Sequence, residues 1–412
     1  MRSNTKLFIA IIGGLFLGVL LGWYVNTNFL PEETADFAKK IKLLGTIFIR
    51  MVQMIIAPLV FTTLVVGIAK MGDMKMVGRV GGKALAWFIT ASLSSLLLGM
   101  VLVNWLKPGA GIDRSMANED AAKELVANTG TFSIENFVVH VVPKSFIEAM
   151  ATNEILQIVI FSIMFGIALA SMKEISTPII KALDTVAHAI LKMVSYIMWV
   201  APFGVFGAVA AAIAVYGLGI LAVYINYFGA FLLGIALLWI LLLIVGFLIL
   251  GNRLWTLLKR LGSPLLIAFS TTSSEAVFPK LTEELERFGA DPKIVSFTLP
   301  LGYSFNLDGS MMYMTFASLF IAQVYGIDMP IEKQLLMLLV LMLTSKGVAG
   351  VPRASLIVVI ATCAMFDIPA EGIALILPID HFCDMFRSAT NVLGNALATT
   401  AVDKWERKPE SN

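Results

Sequence analysis

Charge is scarce in this chain. Asp, Glu, Lys and Arg make up 14% of its 412 residues, against roughly 25% in an ordinary soluble domain. Apolar residues make up 58%, so the composition excludes a soluble globular protein and describes a polytopic membrane protein. Cysteine is almost absent. Cys363 and Cys383 both lie in apolar segments, with no Cys-x-x-Cys and no His at metal-ligand spacing, which excludes a disulfide framework and a zinc site and leaves them as packing residues. The three histidines, His140, His188 and His381, are scattered. Only His381, beside Asp380, stands where a proton relay could use it. A net charge of +2 with no dense basic patch among aromatics sets nucleic acid aside. No Asn-x-Ser/Thr sequon occurs, which favours a prokaryotic membrane over a glycosylating route. A hydrolase would need a Ser or Cys nucleophile paired with His, or His-Glu-x-x-His, and neither pattern is present.

Long apolar runs are what the chain does have. The first, Leu7 to Tyr24, lacks a small-residue cleavage site and reads as a span rather than a signal peptide. Arg2 and Lys6 before it place the N-terminus in the cytoplasm by the positive-inside rule. Pro31 to Lys42 reads as an outer amphipathic approach to a second span, Leu44 to Ile68, which ends at the basic residues Lys70, Lys75 and Arg79. A third span covers Ala84 to Leu106 and carries Thr90, Ser92, Ser94 and Ser95, which would be ordinary small-hydroxyl glue between membrane helices. Residues Ala110 to Asn153 turn polar, an outer excursion within a fourth span that Ile155 to Met172 completes. Ile179 to Tyr216 is too long for one straight crossing and contains Pro202-Phe203-Gly204, so a fifth span kinked at that Pro is expected. The sixth, Leu221 to Leu250, ends at Arg253, Lys259 and Arg260.

From there the pattern changes. The apolar stretches flanking Ser270-Thr271-Thr272-Ser273-Ser274-Glu275 are each shorter than the ~20 residues needed to cross a core of about 30 Å. Two short arms around a polar tip read as a re-entrant hairpin. Pro330 to Pro369 repeats the design, with arms Leu335 to Leu343 and Ala354 to Met365 around the tip Thr344 to Arg353. Each hairpin precedes a span with polar interruptions. The first partner, Val295 to Val324, breaks at Asn306-Leu307-Asp308-Gly309-Ser310. A kink around a buried Asn-Asp pair would explain that break, as would a cation site, which a mid-span carboxylate favours. Hairpin and broken span, twice over, is a transporter pattern in which inverted repeats hold ions and solutes at the midplane.

The second partner, Ile373 to Val402, carries Asp380, Asp384, Arg387, Ser388, Asn391 and Asn395 at steps of three and four, one face of a helix. Two carboxylates and a guanidinium at mid-bilayer cost on the order of 8 kcal/mol at about 2.5 to 3.5 kcal/mol each. Two readings offset that cost. In one, Arg387 receives an anionic group and Asp384 a cationic one in a polar cavity; in the other, an internal Asp-Arg pair only ties helices together. The two amides that continue the stripe favour the cavity.

These motifs together resemble the dicarboxylate/amino acid:cation symporter family, which includes the excitatory amino acid transporters and bacterial glutamate/aspartate symporters. The resemblance covers essentially the whole chain. It rests on Ser270 to Glu275, Asn306-Leu307-Asp308-Gly309-Ser310, Gly350-Val351-Pro352, and Asp384-Met385-Phe386-Arg387-Ser388 with Asn391. It implies an all-α polytopic fold of eight transmembrane helices and two re-entrant hairpins with inverted repeats, an elevator-type transporter assembled as a homotrimer. By the same resemblance, residues 1–80 (spans one and two) and 109–217 (spans four and five) are scaffold, 81–108 (span three) and 218–403 (span six to span eight) move as the transport domain, and 404–412 form a cytoplasmic tail. Both termini would be cytoplasmic, in a cell inner membrane.

The resemblance further implies that Arg387 binds a side-chain carboxylate, Asp384 an α-amino group, and Asn391 with Ser273 and Ser274 the α-carboxylate. Val351 and Ser355 would close over the solute, with Ser310 and Ser388 lining its site. Cations would be held by Asn306, Asp308, Asn391, Asn395, Ser92 and the backbone around Gly302 and Ser304. Departures from the family pattern bear on coupling. Sodium-coupled archaeal and animal members carry Asp where this chain has Asn395, and loss of that carboxylate weakens sodium binding. Lys346 replaces an apolar residue in the second tip, and Arg353 stands where Gly or Gln is usual. The animal proton-carrying Glu is replaced by Met314, so Glu275, which desolvation would raise toward neutrality, is the proton-carrier candidate. The expected activity is symport of acidic amino acids with protons, sodium or both and no other cofactor, with a C4-dicarboxylate:cation symporter as the alternative. Asp384 separates them, since succinate has no amino group for it.

Overall fold

The computed structural model describes residues 2–71, 74–110, 139, 141–218, 224–345 and 354–407. Every regular element among them is helical. The chain opens with α1 (Arg2–Asn28), α2 (Pro31–Met71) and α3 (Met74–Leu106), followed by short α4 (Phe146–Thr152), α5 (Ile155–Ser171), α6 (Thr177–Ile197), α7 (Ala201–Tyr216) and α8 (Ile225–Leu250). The last third comprises α9 (Arg253–Thr271), α10 (Phe278–Phe288), α11 (Pro292–Phe305), α12 (Asp308–Val324), α13 (Ile331–Thr344), α14 (Ala354–Met365) and α15 (Leu377–Glu406). Helices α1, α2, α3 and α8 are each long and apolar enough to cross a bilayer, and α6 with α7 pass as a pair bent by 54°. This is a multi-pass membrane protein.

Two helix groups carry the architecture. In the first, Gly14, Gly18 and Gly22 recur every four residues on α1 and let it close onto the backbone of α7. A Cβ at Gly18 would come within 2.9 Å of the Phe206 carbonyl oxygen, and one at Gly22 within 2.7 Å of that of Ala210. Small residues at this spacing bring membrane helices to backbone contact, where dispersion supplies the attraction that water cannot. Gly204 and Gly207 of α7 fit against Phe48 and Leu44 of α2 in the same way. In the second group, α3 is fastened to α12 and α13 by side-chain amides. Gln323 donates to the Val103 carbonyl (2.9 Å), and Asn104 donates to Gln334 (2.6 Å). At its other end, Arg79 and Lys83 of α3 reach Glu406 of α15 at 2.7 and 2.6 Å.

The expected amphipathic approach at Pro31 to Lys42 is not separate from the second span. α2 is one helix of 41 residues, about 60 Å at 1.5 Å per residue, so it extends well beyond a single hydrocarbon core. Nothing in the approach breaks it. Pro31 occupies the first turn, Glu32 and Glu33 sit at the favourable end of the helix dipole, and Asp36 pairs with Lys40 at 2.6 Å. The fifth-span kink falls where expected, at residues 198–200 just ahead of Pro202. The 270–275 tip is tighter than the sequence indicates. α9 continues through Ser270 and Thr271, and the reversal is made at Thr272, in the left-handed region at φ 52°. The break at Asn306 and Leu307 is present, with Asp308 opening α12. Lys346, Gly350, Val351, Pro352 and Arg353 of the second tip lie outside the described residues, as does most of the 110–153 excursion with His140.

Candidate functional site

The polar face of α15 is real and faces inward. Arg387 and Asp380 are 3% and 2% exposed. The guanidinium donates from Nε to Asp384 Oδ1 at 2.7 Å and from Nη1 to Asp380 Oδ1 at 3.2 Å, and it lies 4.4 Å from the centroid of the Tyr313 ring. The Tyr313 hydroxyl donates to Asp380 Oδ1 at 2.6 Å, and Ser388 Oγ donates to Asp384 Oδ1 at 3.2 Å. An internal ion pair therefore exists, as the structural reading of the stripe requires. It is not the whole account, because the cluster forms one wall of a cavity of about 720 Å³.

The turn after α9 and the start of α12 supply other walls. Ser273, Ser274, Glu275, Ser310, Ser355, Asp384, Arg387, Ser388 and Asn391 all line this one space, although they are drawn from α9 and its tip, α12, α14 and α15. Ser273 Oγ accepts from the Ala276 amide at 3.1 Å, closing the turn after Thr272. Asn391 and Ser310 hold each other reciprocally, Asn391 Nδ2 donating to Ser310 Oγ at 3.0 Å and the Ser310 amide donating to Asn391 Oδ1 at 3.2 Å. Of the solute-binding residues expected from the sequence, Val351 alone falls outside the described residues.

A second polar cluster sits behind that Asn391–Ser310 contact. Asn306 Nδ2 donates to Asp308 Oδ2 at 3.2 Å and to Asn395 Oδ1 at 3.3 Å, with all three residues buried. Ser92 of α3 donates to the Phe305 carbonyl at 3.3 Å beside the break. Asn306 Oδ1 and Ser304 Oγ are buried oxygens with no hydrogen-bond partner. Such atoms are costly unless something polar completes them. Two glycines make the cluster possible: a Cβ at Gly394 would overlap the Asp308 carboxylate, and one at Gly302 would overlap the Asn395 side chain. Carboxylate, amide and hydroxyl oxygens converging at a helix break are the donors a hard monovalent cation takes. Ser92, Gly302, Ser304, Asn306, Asp308 and Asn395 are thus brought together, and Asn391 joins them to the cavity.

Sequence reasoning assigned no part to several residues of the site. Asp380 belonged to the stripe, two turns before Arg387 on the same helix, and no part as second partner of the guanidinium was assigned to it; Tyr313 of α12 holds it there. Tyr313 carried no signal beyond standing five residues after Asp308. Lys39, Lys42, Thr46 and Gln53 line the same cavity from α2, and nothing local in the sequence links them to residues more than two hundred positions away.

A membrane protein whose regular elements are helical among the described residues, with a charged cavity between the turn after α9 and the break between α11 and α12, points to the class of solute transporters. The chain belongs to the sodium:dicarboxylate symporter family, whose model matches residues 7–405. Among similar proteins, the C4-dicarboxylate transport protein of Laribacter hongkongensis is 41% identical over 100% of this chain and 92% of that protein. The proton/sodium-glutamate symport protein of Bacillus caldotenax is 37% identical, covering 97% and 95% respectively. The proton/glutamate-aspartate symporter of Escherichia coli is also 37% identical, covering 98% and 94%.

Proposed function

We propose that this chain is a secondary active symporter for acidic amino acids, glutamate or aspartate, coupled to protons, sodium or both. The observation that carries this is Arg387 beside Asp384 on the wall of the cavity: a guanidinium for the distal carboxylate and a carboxylate for the amino group. Asn391, Ser273 and Ser274 take the α-carboxylate, Ser310 and Ser388 line the site, and Ser355 with Val351 closes it. Asn306, Asp308 and Asn395, with Ser92, Asn391 and the backbone near Gly302 and Ser304, hold the co-transported cation. Glu275, half-buried on the cavity wall, carries the proton where one is carried.

In this reading the fold has eight spans and two re-entrant hairpins, α9–α10 and α13–α14. Residues 81–108 and 218–403 move as one body against a trimeric scaffold of 1–80 and 109–217, within an inner membrane and with both termini cytoplasmic. The tight glycine seams of α1, α2 and α7 support a rigid scaffold, and the amide and ion-pair ties of α3 support its travelling with α12, α13 and α15.

One observation favours a second reading, C4-dicarboxylate symport. Asp384 is already within 2.7 Å of the Arg387 Nε, so its charge is met inside the protein and a substrate without an amino group leaves no carboxylate stranded. Uptake of labelled aspartate and succinate into proteoliposomes decides between them, with a sodium gradient at constant pH compared with a pH gradient without sodium. The amino-acid reading expects aspartate accumulation that excess succinate competes with poorly; succinate accumulation without aspartate accumulation would overturn it.

A further inference from the structure

The inner end of the cavity presents an electrostatic difficulty for any acidic solute. Its acidic and basic lining comprises Arg387 and His381 with Asp380, Asp384 and Glu275, one permanently positive group among three acidic ones, and two of those acids are bonded directly to the guanidinium. With the carboxylates ionised and His381 neutral, the formal balance there is −2. An anion arriving from water meets net repulsion before it meets Arg387.

The opposite wall reverses that sign. Ala35, Lys39, Lys42, Thr46, Ile49 and Gln53 of α2 line the cavity at steps of three and four, a single helical face. Lys39 and Lys42 are exposed and form no ion pair among the described residues, whereas neighbouring Lys40, off this face, is bound to Asp36. The two free ammonium groups bring the cavity lining as a whole to formal neutrality. There is room for more than one position: a solute of about ten non-hydrogen atoms, at a water's ~30 Å³ apiece, fills less than half of 720 Å³.

We infer that Lys39 and Lys42 form an anion-capture subsite on α2, at the mouth of the cavity, where a carboxylate of an acidic solute is held before it passes to Arg387. The inference rests on the acidic-solute reading above. Capture on α2 also explains the order of events. The solute's carboxylate is delivered already paired, and it then displaces one of the two aspartates from the guanidinium instead of approaching three carboxylates bare. Thr46 and Gln53 continue the face inward as neutral hydrogen-bonding steps.

The test is initial uptake of labelled aspartate in proteoliposomes by the wild type, by the double variant Lys39→Gln/Lys42→Gln and by Lys39→Arg/Lys42→Arg. KM and maximal rate are measured at low ionic strength and again after raising it with choline chloride at fixed sodium and pH. Steering by two charges acts on association and is screened within about 10 Å at 0.1 M salt. The Gln variant is expected to raise KM about three- to tenfold at low ionic strength with the maximal rate retained, and to lose the salt dependence that the wild type shows. The Arg variant is expected to keep the wild-type KM. Because both lysines are exposed, equal amounts of folded variant should elute on size exclusion. A Gln variant with wild-type KM and salt dependence, a fall in maximal rate at constant KM, or an Arg variant that behaves like Gln would each overturn the subsite while leaving the acidic-solute reading intact. No aspartate uptake by the wild type would overturn that reading, and the subsite with it.

Discussion

Arg387 is held from three directions, by Asp384, by Asp380 and by the Tyr313 ring, and the Tyr313 hydroxyl occupies Asp380 in turn. Removing that hydroxyl leaves Asp380 to lean on the guanidinium alone, so Tyr313→Phe is expected to raise KM for acidic solute about three- to tenfold, the equivalent of about 1 kcal/mol. An unchanged KM in the proteoliposome assay would mean that the hydroxyl does not regulate the arginine. At the second cluster, Gly394→Ala places a methyl group on the Asp308 carboxylate, and overpacking there costs about 1 to 3 kcal/mol. The cation site proposed there predicts that sodium raises the thermal-unfolding midpoint of the wild type and that Gly394→Ala abolishes the rise, read by differential scanning fluorimetry in detergent. For proton coupling, Glu275→Gln is expected to abolish uptake driven by a pH gradient. Intact proton-driven uptake would remove Glu275 from that role. Most of these residues were legible in the sequence, because a charged or amide side chain inside an apolar run demands an explanation wherever it occurs. Tyr313 and the α2 lysines were not. A tyrosine in a membrane helix and lysines near a helix end are both ordinary, and only tertiary packing gives them a site to serve.

Among the elements, α9 and α10 carry a buried cluster of ion pairs, one of which joins the two helices. Lys280 of α10 is buried and reaches Glu283 and Glu284 at 2.8 and 2.9 Å, while Arg260 of α9 crosses to Glu284 at 3.3 Å. Breaking a buried pair by removing one partner costs about 3 to 5 kcal/mol when the other is left alone. Arg260 and Arg287 still face Glu284, so Lys280→Met is expected to cost less, about 1 to 3 kcal/mol, seen as a lower midpoint of thermal unfolding in micelles. No change in midpoint would show that the buried Lys280 pairs add nothing to the stability of α10. Element boundaries were legible where Pro, Gly or a polar run interrupted hydrophobicity, as at Pro202 and at Asn306 to Ser310. They were misplaced where polarity changed without a helix breaker. Pro31 to Lys42 differs from Leu44 to Ile68 in polarity alone, and a helix accommodates both. Ser270 and Thr271 are polar yet remain helical because each hydroxyl donates back to a carbonyl four residues earlier, at 2.7 Å.

Across the whole molecule, the proposed motion requires a slip plane between α2 and the helices that carry the site. Gly67 of α2 lies directly on Ser296 of α11; a Cβ at Gly67 would stand 3.6 Å from the Ser296 Cβ, within disulfide range. The native thiols Cys363 and Cys383 are both buried and unpaired. Oxidising the pair Gly67→Cys/Ser296→Cys is expected to arrest uptake, and a reductant to restore it. Continued transport by the cross-linked protein would place the moving boundary elsewhere. Family membership and a helical membrane fold follow from motifs that survive in the linear order of the chain; which helices would travel together in the proposed motion does not, because that depends on contacts such as Lys83 with Glu406, more than three hundred residues apart. The central claim is that charges buried on α15 are completed by a travelling acidic solute. Its most direct test is uptake of labelled glutamate and aspartate, beside a small neutral amino acid, by proteoliposomes of the wild type and of Arg387→Ala. Loss of acidic uptake with neutral uptake spared is the predicted result, and acidic uptake at the wild-type level in the variant would contradict it.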